Sequence, residues 1–174
     1  MKVIITKYIE QDFNYAGVEN EHPRWGSWSE LSEYYQINGD DFGRYLEVES
    51  RYKLVVLSII NSLKISCFTI CKMLSNKPDR FLDHHIALVR DTAHRIKRLN
   101  PCAGDQVGIA ELCLLLEADL RGVLSFECNA LEEEKSGFYL RPGDDFYLRC
   151  GAQADFDWDN AGLFVGKEEI VHSL

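Results

Sequence analysis

Hydrophobic and polar positions divide the chain into a mixed opening, a helical middle and a strand-rich end. The most regular stretch is Leu82, Ile86, Val89, Ala93 and Ile96, spaced 4, 3, 4 and 3 residues apart. That spacing is a single stripe on a 3.6-residue period and predicts a helix from Asp79 to Leu99. Pro78 and Asp79 begin it, and Asn100-Pro101 ends it, because the residue before a proline is pushed away from helical angles. Asp79 and Asp83 at its start and Arg95, Lys97 and Arg98 at its end suit the helix macrodipole.

Around this helix the pattern changes. Val3, Ile4, Ile5, Thr6 and Tyr8 predict a first strand, since β-branched and aromatic side chains fit a pleated, half-buried surface. From Asn14 to Gly43 the signals are turns at His22-Pro23, Trp25-Gly26, Asn38-Gly39 and Asp40-Asp41. A short helix over Ser29–Tyr35, capped by Ser27 or Ser29, fits between them. A long apolar element begins near Leu46, and Leu54, Val56, Leu57, Ile60 and Leu63 support a buried helix. From Ile65 to Cys71 two sets alternate, Ile65, Cys67, Thr69 and Cys71 against Ser66, Phe68 and Ile70, in a way that also suits a strand. Helix continuing to about Leu74 is the preferred reading, although periodicity leaves the strand open.

A second helix follows Asp105 and carries Ile109, Leu112, Cys113, Leu116 and Leu120. After Gly122 the period becomes two: Leu124, Phe126 and Cys128 face one way, Val123, Ser125 and Glu127 the other. The repeated Phe-Tyr-Leu-Arg segments, Phe138–Arg141 and Phe146–Arg149, read as hairpin strands around Pro142-Gly143-Asp144, with like side chains facing each other. Leu163, Phe164 and Val165 supply a last strand, with Glu168–Val171 beside it. The expectation is one α+β domain over residues 1–174, its helical middle packed against an antiparallel β-meander from the carboxyl-terminal third.

Charge narrows the choice of partner. The 174 residues carry a formal net charge of −9, which favours cationic partners and argues against nucleic acid or anionic membranes. Lys53, Asn61, Lys64 and Lys72 break the apolar middle too often for a membrane span, and Met1–Glu10 lacks the apolar core of a signal peptide. A cytoplasmic protein is expected, with Cys67, Cys71, Cys102, Cys113, Cys128 and Cys150 as reduced, mostly buried thiols.

Candidate chemistry is sparse. His84-His85 and His94 share the predicted helix, but adjacent helical residues point about 100° apart, so only one of the pair can join a site. His85 falls beside the apolar stripe and His84 faces away from it, which favours an ordinary core-edge histidine over a metal ligand. Cys67 and Cys71, four apart, share a helix face, and burial accounts for both better than zinc. No nucleophile elbow, phosphate-binding loop or dinucleotide fingerprint occurs, so no catalytic residue, metal or cofactor is expected.

The most unusual local feature is Ala154-Asp155-Phe156-Asp157-Trp158-Asp159-Asn160. Its opening resembles a calcium loop but departs from it at Asn160, where glycine belongs, and at Gly166, where a bidentate glutamate belongs. Carboxylates alternating with aromatics suit a protein-facing surface, where the aromatic anchors and the acids steer and pair. Asp144, Asp145 and Glu132-Glu133-Glu134 add charge in the same third. The predicted partner-binding residues are Asp144, Asp145, Asp155, Phe156, Asp157, Trp158 and Asp159. A solvated acidic face with two core aromatics is the alternative.

In size, acidity, helix-then-meander organisation and acidic-aromatic tail, the chain resembles immunity proteins of bacterial contact-dependent growth inhibition systems. The segments Gly137–Gly151 and Asp155–Gly166 carry the likeness. The resemblance implies a cytoplasmic inhibitor that binds the carboxyl-terminal toxin domain of a delivered effector, often a nuclease. Two other classes stay open: an adaptor or regulatory module, and an enzyme whose site joins distant residues such as Asp157 and His94.

Overall fold

The computed structural model describes residues 2–8, 39–131, 138–143, 147–152 and 163–169. In chain order the elements are strand β1 (Lys2–Tyr8), helix α1 (Gly39–Leu63), β2 (Cys67–Asn76), a 3-10 turn (Pro78–Phe81), α2 (Ala87–Leu99), β3 (Gln106–Gly108) and α3 (Ile109–Leu120). Strands β4 (Leu124–Ala130), β5 (Tyr139–Gly143), β6 (Tyr147–Ala152) and β7 (Leu163–Glu169) follow. The strands form one antiparallel sheet in the order β3-β2-β4-β5-β6-β1-β7. The fold is α+β, and β4-β5-β6 is the expected meander. The sequence reading did not place β1, which lies between β6 and β7 and pairs with both.

Helix α3 is apolar on most of its surface and is the central packing element. It touches β2, β3, β4 and β5 on one side and α1 and α2 on the other. Leu112, Leu115, Leu116 and Ala118 are buried, as are Tyr52, Val56, Ile59 and Ile60 from α1 and Val89, Ala93 and Ile96 from α2. The sheet contributes Phe68, Ile70, Leu124, Phe126, Cys128 and Leu140, and Phe138 meets Phe68 edge-on at 5.6 Å between ring centroids. Each large apolar side chain withdrawn from water in this way is worth about 1.5–3 kcal/mol.

Two helices end in the same hydrogen-bonded reversal. After α3, the Gly122 amide donates to Asp119 O and the Val123 amide to Ala118 O, with Gly122 at φ 71. This is the Schellman closure that favours glycine at the left-handed position. After α1 the Lys64 amide donates to Asn61 O and the Ile65 amide to Ile60 O, with Lys64 itself at φ 56. The predicted continuation of that helix to about Leu74 is therefore corrected: it stops at Leu63 and Cys67–Asn76 is strand.

Strand β2 explains why its own pattern misleads. Against β4, Ile70 pairs with Cys128 and Lys72 with Glu127, so Cys71 is an extra residue, and Leu74 is another between Met73 and Ser75. These two bulges change the spacing of core-side residues from two (Phe68, Ile70) to three (Ile70, Met73), which imitates a helical period. The bulged Cys71 and Leu74 are exposed. Beside them the loop 101–105 lies along the strand. The Ile70 amide donates to Asp105 O, the Gly104 amide to Ile70 O, and Asn76 Nδ2 to Pro101 O at 3.3 Å.

The predicted helix over Asp79–Leu99 begins later than expected, at Ala87. Pro78–Phe81 is a 3-10 turn, and Ile86 is extended at φ −83, ψ 115. His84 takes local bonds that compete with helix: its Nδ1 accepts the Ile86 amide at 3.2 Å and its carbonyl accepts Arg90 Nη1 at 3.2 Å. The stripe nevertheless faces inward, with Leu82 and Ile86 half-buried, and the helix closes at Asn100, φ 48, before Pro101.

In the hairpin, Arg141 opposes Arg149, but Leu140 opposes Cys150 and Tyr139 opposes Gly151, so like meets like only at arginine. Glu168 and Glu169 continue β7 and do not form a separate strand. The expected turn at Asp40-Asp41 is corrected, since both lie in the first turn of α1, and Pro142 and Gly143, expected in a turn, end β5. The expected turns over 14–38, the Ser29–Tyr35 helix, Glu132–Glu134, Phe146 and residues 170–171 lie outside the described residues. Among the described residues, no helix is long and apolar enough to cross a membrane. Of the five cysteines whose side chains are described only Cys128 is buried; Cys67 and Cys113 are half-buried, and Cys71 and Cys102 are exposed. That corrects the expectation of mostly buried thiols, because the bulge at Cys71 and the loop at Cys102 turn both outward.

Candidate functional site

The polar chemistry of the described residues gathers in two places, and the first lies among the helices. Arg121 follows the last turn of α3, where the reversal at Gly122 fixes its backbone. Its Nε donates to Glu49 Oε2 at 2.9 Å and its Nη2 to Glu49 Oε1 at 2.8 Å, a parallel two-bond fork to a carboxylate on α1. Nη1 donates to the Leu88 carbonyl at 3.1 Å, to Thr92 Oγ1 and to Glu117 Oε1 at 2.7 Å. Thr92 Oγ1 in turn donates to Glu117 Oε1 at 3.0 Å.

Towards solvent the cluster is closed by cations. Lys53 Nζ stands 3.3 Å from Glu49 and 3.4 Å from Glu117, and Arg95 Nη1 stands 3.6 Å from Glu117. Cys113, one turn before Glu117, has its thiol pushed up by burial, while Lys53 lowers it and Glu117 raises it further. A thiol held protonated is a poor nucleophile. The cluster is thus a three-helix clamp in which charged groups satisfy one another. Sequence reasoning missed it: Glu49, Thr92, Glu117 and Arg121 carry no local motif.

The second place is the sheet face turned away from the helices. Strand β4 alternates strictly, with Leu124, Phe126, Cys128 and Ala130 buried and Ser125, Glu127 and Asn129 between them half-buried. Glu127 sits between two neighbouring strands: Lys72 Nζ of β2 is 3.5 Å from Oε2, and Arg141 Nε of β5 is 3.1 Å from Oε1. The bulge at Cys71 keeps Lys72 level with Glu127. Beyond Arg141, the register sets Arg149 of β6 directly opposite.

The predicted partner-binding residues Asp144, Asp145, Asp155, Phe156, Asp157, Trp158 and Asp159 all lie outside the described residues. The histidines differ from expectation. His84 is half-buried and stacks on the exposed His85 at 4.5 Å, reversing the predicted roles, because both precede α2; His94 is exposed on the helix. Cys67 and Cys71 lie on β2, so burial does not account for Cys71. Among the described residues, no group of three or more histidine, cysteine or acidic side chains is arranged to hold a metal ion. No protein-family model matches the chain, and comparison with curated proteins and with solved structures returned no match either.

Proposed function

We propose that the chain is an immunity-type protein: a cytoplasmic, non-catalytic inhibitor that binds and neutralises a basic toxin domain, a nuclease, of a delivered effector. Charge distribution carries the reading. The buried charges among the described residues, Glu49 and Arg121, cancel each other, so the net charge of −9 is carried by the remaining residues. A negative charge of that size attracts a basic partner over distance and speeds its docking. The acidic-aromatic segment Asp155–Asp159, together with Asp144 and Asp145, is where that partner is expected to bind.

The test is co-expression with the toxin domain encoded directly upstream, followed by co-purification and stopped-flow association across a salt series. A stoichiometric complex is expected, with an association rate that falls as salt shortens the screening length to about 8–10 Å and below. Failure to co-purify would overturn the proposal. A rate indifferent to salt would remove its electrostatic basis.

A further inference from the structure

We propose that His84 is a pH-sensitive latch: as a neutral ring it holds the segment 81–86 against the start of α2, and on protonation it releases that segment. This device goes beyond the immunity reading and stands without it.

The first observation is the direction of one hydrogen bond. His84 Nδ1 accepts the Ile86 amide at 3.2 Å. A backbone amide only donates, so Nδ1 carries a lone pair in this bond, and only the neutral imidazole leaves one there. Protonation sets an N–H on that nitrogen and turns the bond into two donors facing each other. The second observation is what the bond holds. Ile86 is the extended residue before α2, and no side chain caps the helix from it. Its carbonyl accepts the Arg90 amide at 3.1 Å, and the His84 amide donates to Phe81 O at 3.1 Å. The ring therefore ties the turn at 81–84 to the first turn of the helix. Leu82 and Ile86, half-buried against the core, lie within the tied stretch. Segments with few buried contacts open locally at far lower cost than a core helix, so one lost bond matters here.

The third observation is the charge around the ring. His85 stacks on His84 with 4.5 Å between centroids, and Arg90 Nη1 reaches the His84 carbonyl at 3.2 Å. A charged His84 thus meets the Arg90 guanidinium and, once His85 is protonated too, a like charge stacked on it. Phe81, with its centroid 6.0 Å away, offers no counter-charge. On the 3-10 turn packed against α2, Asp79 is held by Lys97 at 2.6 Å, and Arg80 adds a further exposed cation. Asp83 beside His84 and Asp91 beside Arg90 are exposed, where solvent screens them. They move the pH at which the ring charges but not the direction of the effect, because the bond to Ile86 exists only in the neutral form. The open segment frees a ring that takes up a proton in the ordinary histidine range, about pH 6.5, whereas the closed one resists it. Closure is therefore complete above that range and is lost as pH falls through it.

The experiment is amide hydrogen exchange of the full chain, read by mass spectrometry at about pH 7.5 and about pH 5.5 and corrected for the intrinsic rate at each pH. Peptides covering 81–90 should lose about tenfold in protection at the lower pH, the change that one unit of differential proton affinity produces. Peptides covering α3 should keep theirs. His84→Asn sets a carboxamide oxygen where Nδ1 stands and takes up no proton in this range, so its protection should be high at both pH values. His84→Ala, with no acceptor, should be poorly protected at both. Should the asparagine variant misfold, NMR of the wild-type chain serves instead: the His84 ring protons and the Ile86 amide should titrate with one midpoint. Equal protection of 81–90 at the two pH values, a pH step that survives in His84→Asn, full protection in His84→Ala, or an Ile86 amide that does not follow the ring overturns the proposal. So does a parallel loss across α3, which would be acid unfolding of the whole helical layer.

Discussion

Arg121 and Glu49 form a buried two-bond ion pair across the helical layer, with side chains 5% and 2% exposed. Removing Arg121 leaves the buried Glu49 with only the half-buried Lys53 beside it, and removing Glu49 takes the two-bond partner from Arg121. Arg121→Ala is expected to cost about 3–5 kcal/mol, measured by urea denaturation. Replacing both, as Glu49→Leu/Arg121→Met, should recover much of that loss, since two apolar groups leave less unsatisfied. Glu117 and Thr92 would still lose a donor, so recovery should be incomplete. A double variant as unstable as the single one would show that the clamp, and not the stranded charge, sets the cost.

Of the left-handed helix closures, those at Gly122 and Lys64 make opposite predictions. Gly122→Ala places a Cβ at φ 71 and should destabilise by about 1–2 kcal/mol. Lys64→Gly relieves the same strain at φ 56 and should stabilise by up to about 1 kcal/mol, after the entropy of the unfolded glycine is subtracted. Thermal unfolding of the two variants, read as shifts of opposite sign, checks this pair.

Much of the fold was legible, and the misses share a cause. Strand β4 and the end of α2 carried unambiguous local signals: strict alternation at Leu124–Ala130, and Asn100-Pro101. The end of α1 did not, because lysine occupies the position where glycine normally announces a helix end. Strand β2 then compounded the error, since its bulges place Ile70 and Met73 at a helix-like interval. At the start of α2, Leu82 and Ile86 continue the inward stripe through residues that are not α-helical. The helical clamp was invisible for a different reason. Glu49, Thr92 and Arg121 meet only in three dimensions, and each alone reads as an ordinary helix residue.

Deletion of Cys71 offers a direct test of the bulge. Ile70 and Lys72 pair with consecutive residues of β4, so the deletion heals the ladder without moving any other side chain to the wrong face. The shortened chain should fold, with a loss inside the ordinary range of about 0.5–3 kcal/mol. Deletion of Glu127 from the regular strand β4 should abolish folding, because Cys128, Asn129 and Ala130 then change face. Near-ultraviolet circular dichroism of the two deletions would separate these outcomes.

Thiol labelling at neutral pH should follow exposure and ionisation. Cys71 and Cys102 are expected to react first with a thiol-specific disulfide reagent. Cys113 should lag, since burial raises its pKa and leaves little thiolate, and its rate should climb as pH rises towards that raised value. Cys128 should react only on unfolding. Mass spectrometry of peptides from a quenched time course gives the order, and early labelling of Cys113 would contradict the environment described for it.

For the acidic segment, the Asp155→Asn/Asp157→Asn/Asp159→Asn variant is expected to stay folded yet protect cells poorly from the toxin. Breaking buried charge pairs at an interface costs about 2–5 kcal/mol. Protection equal to wild type at matched protein level would assign the segment to structure and move the interface elsewhere.

The place of β1 in the sheet also dictates an order of events during synthesis. Lys2 pairs with Ala152 on one side and Glu169 on the other, so β1 leaves the ribosome well before either neighbour exists. At about 5–20 residues per second that interval lasts on the order of ten seconds or more, with Val3, Ile4 and Ile5 unpaired. The pairs β2-β3 and β2-β4 can close meanwhile, and insertion of β1 between β6 and β7 is left as a late, long-range step. In the growing chain, β6 and β7 give β1 its place long after it has been made.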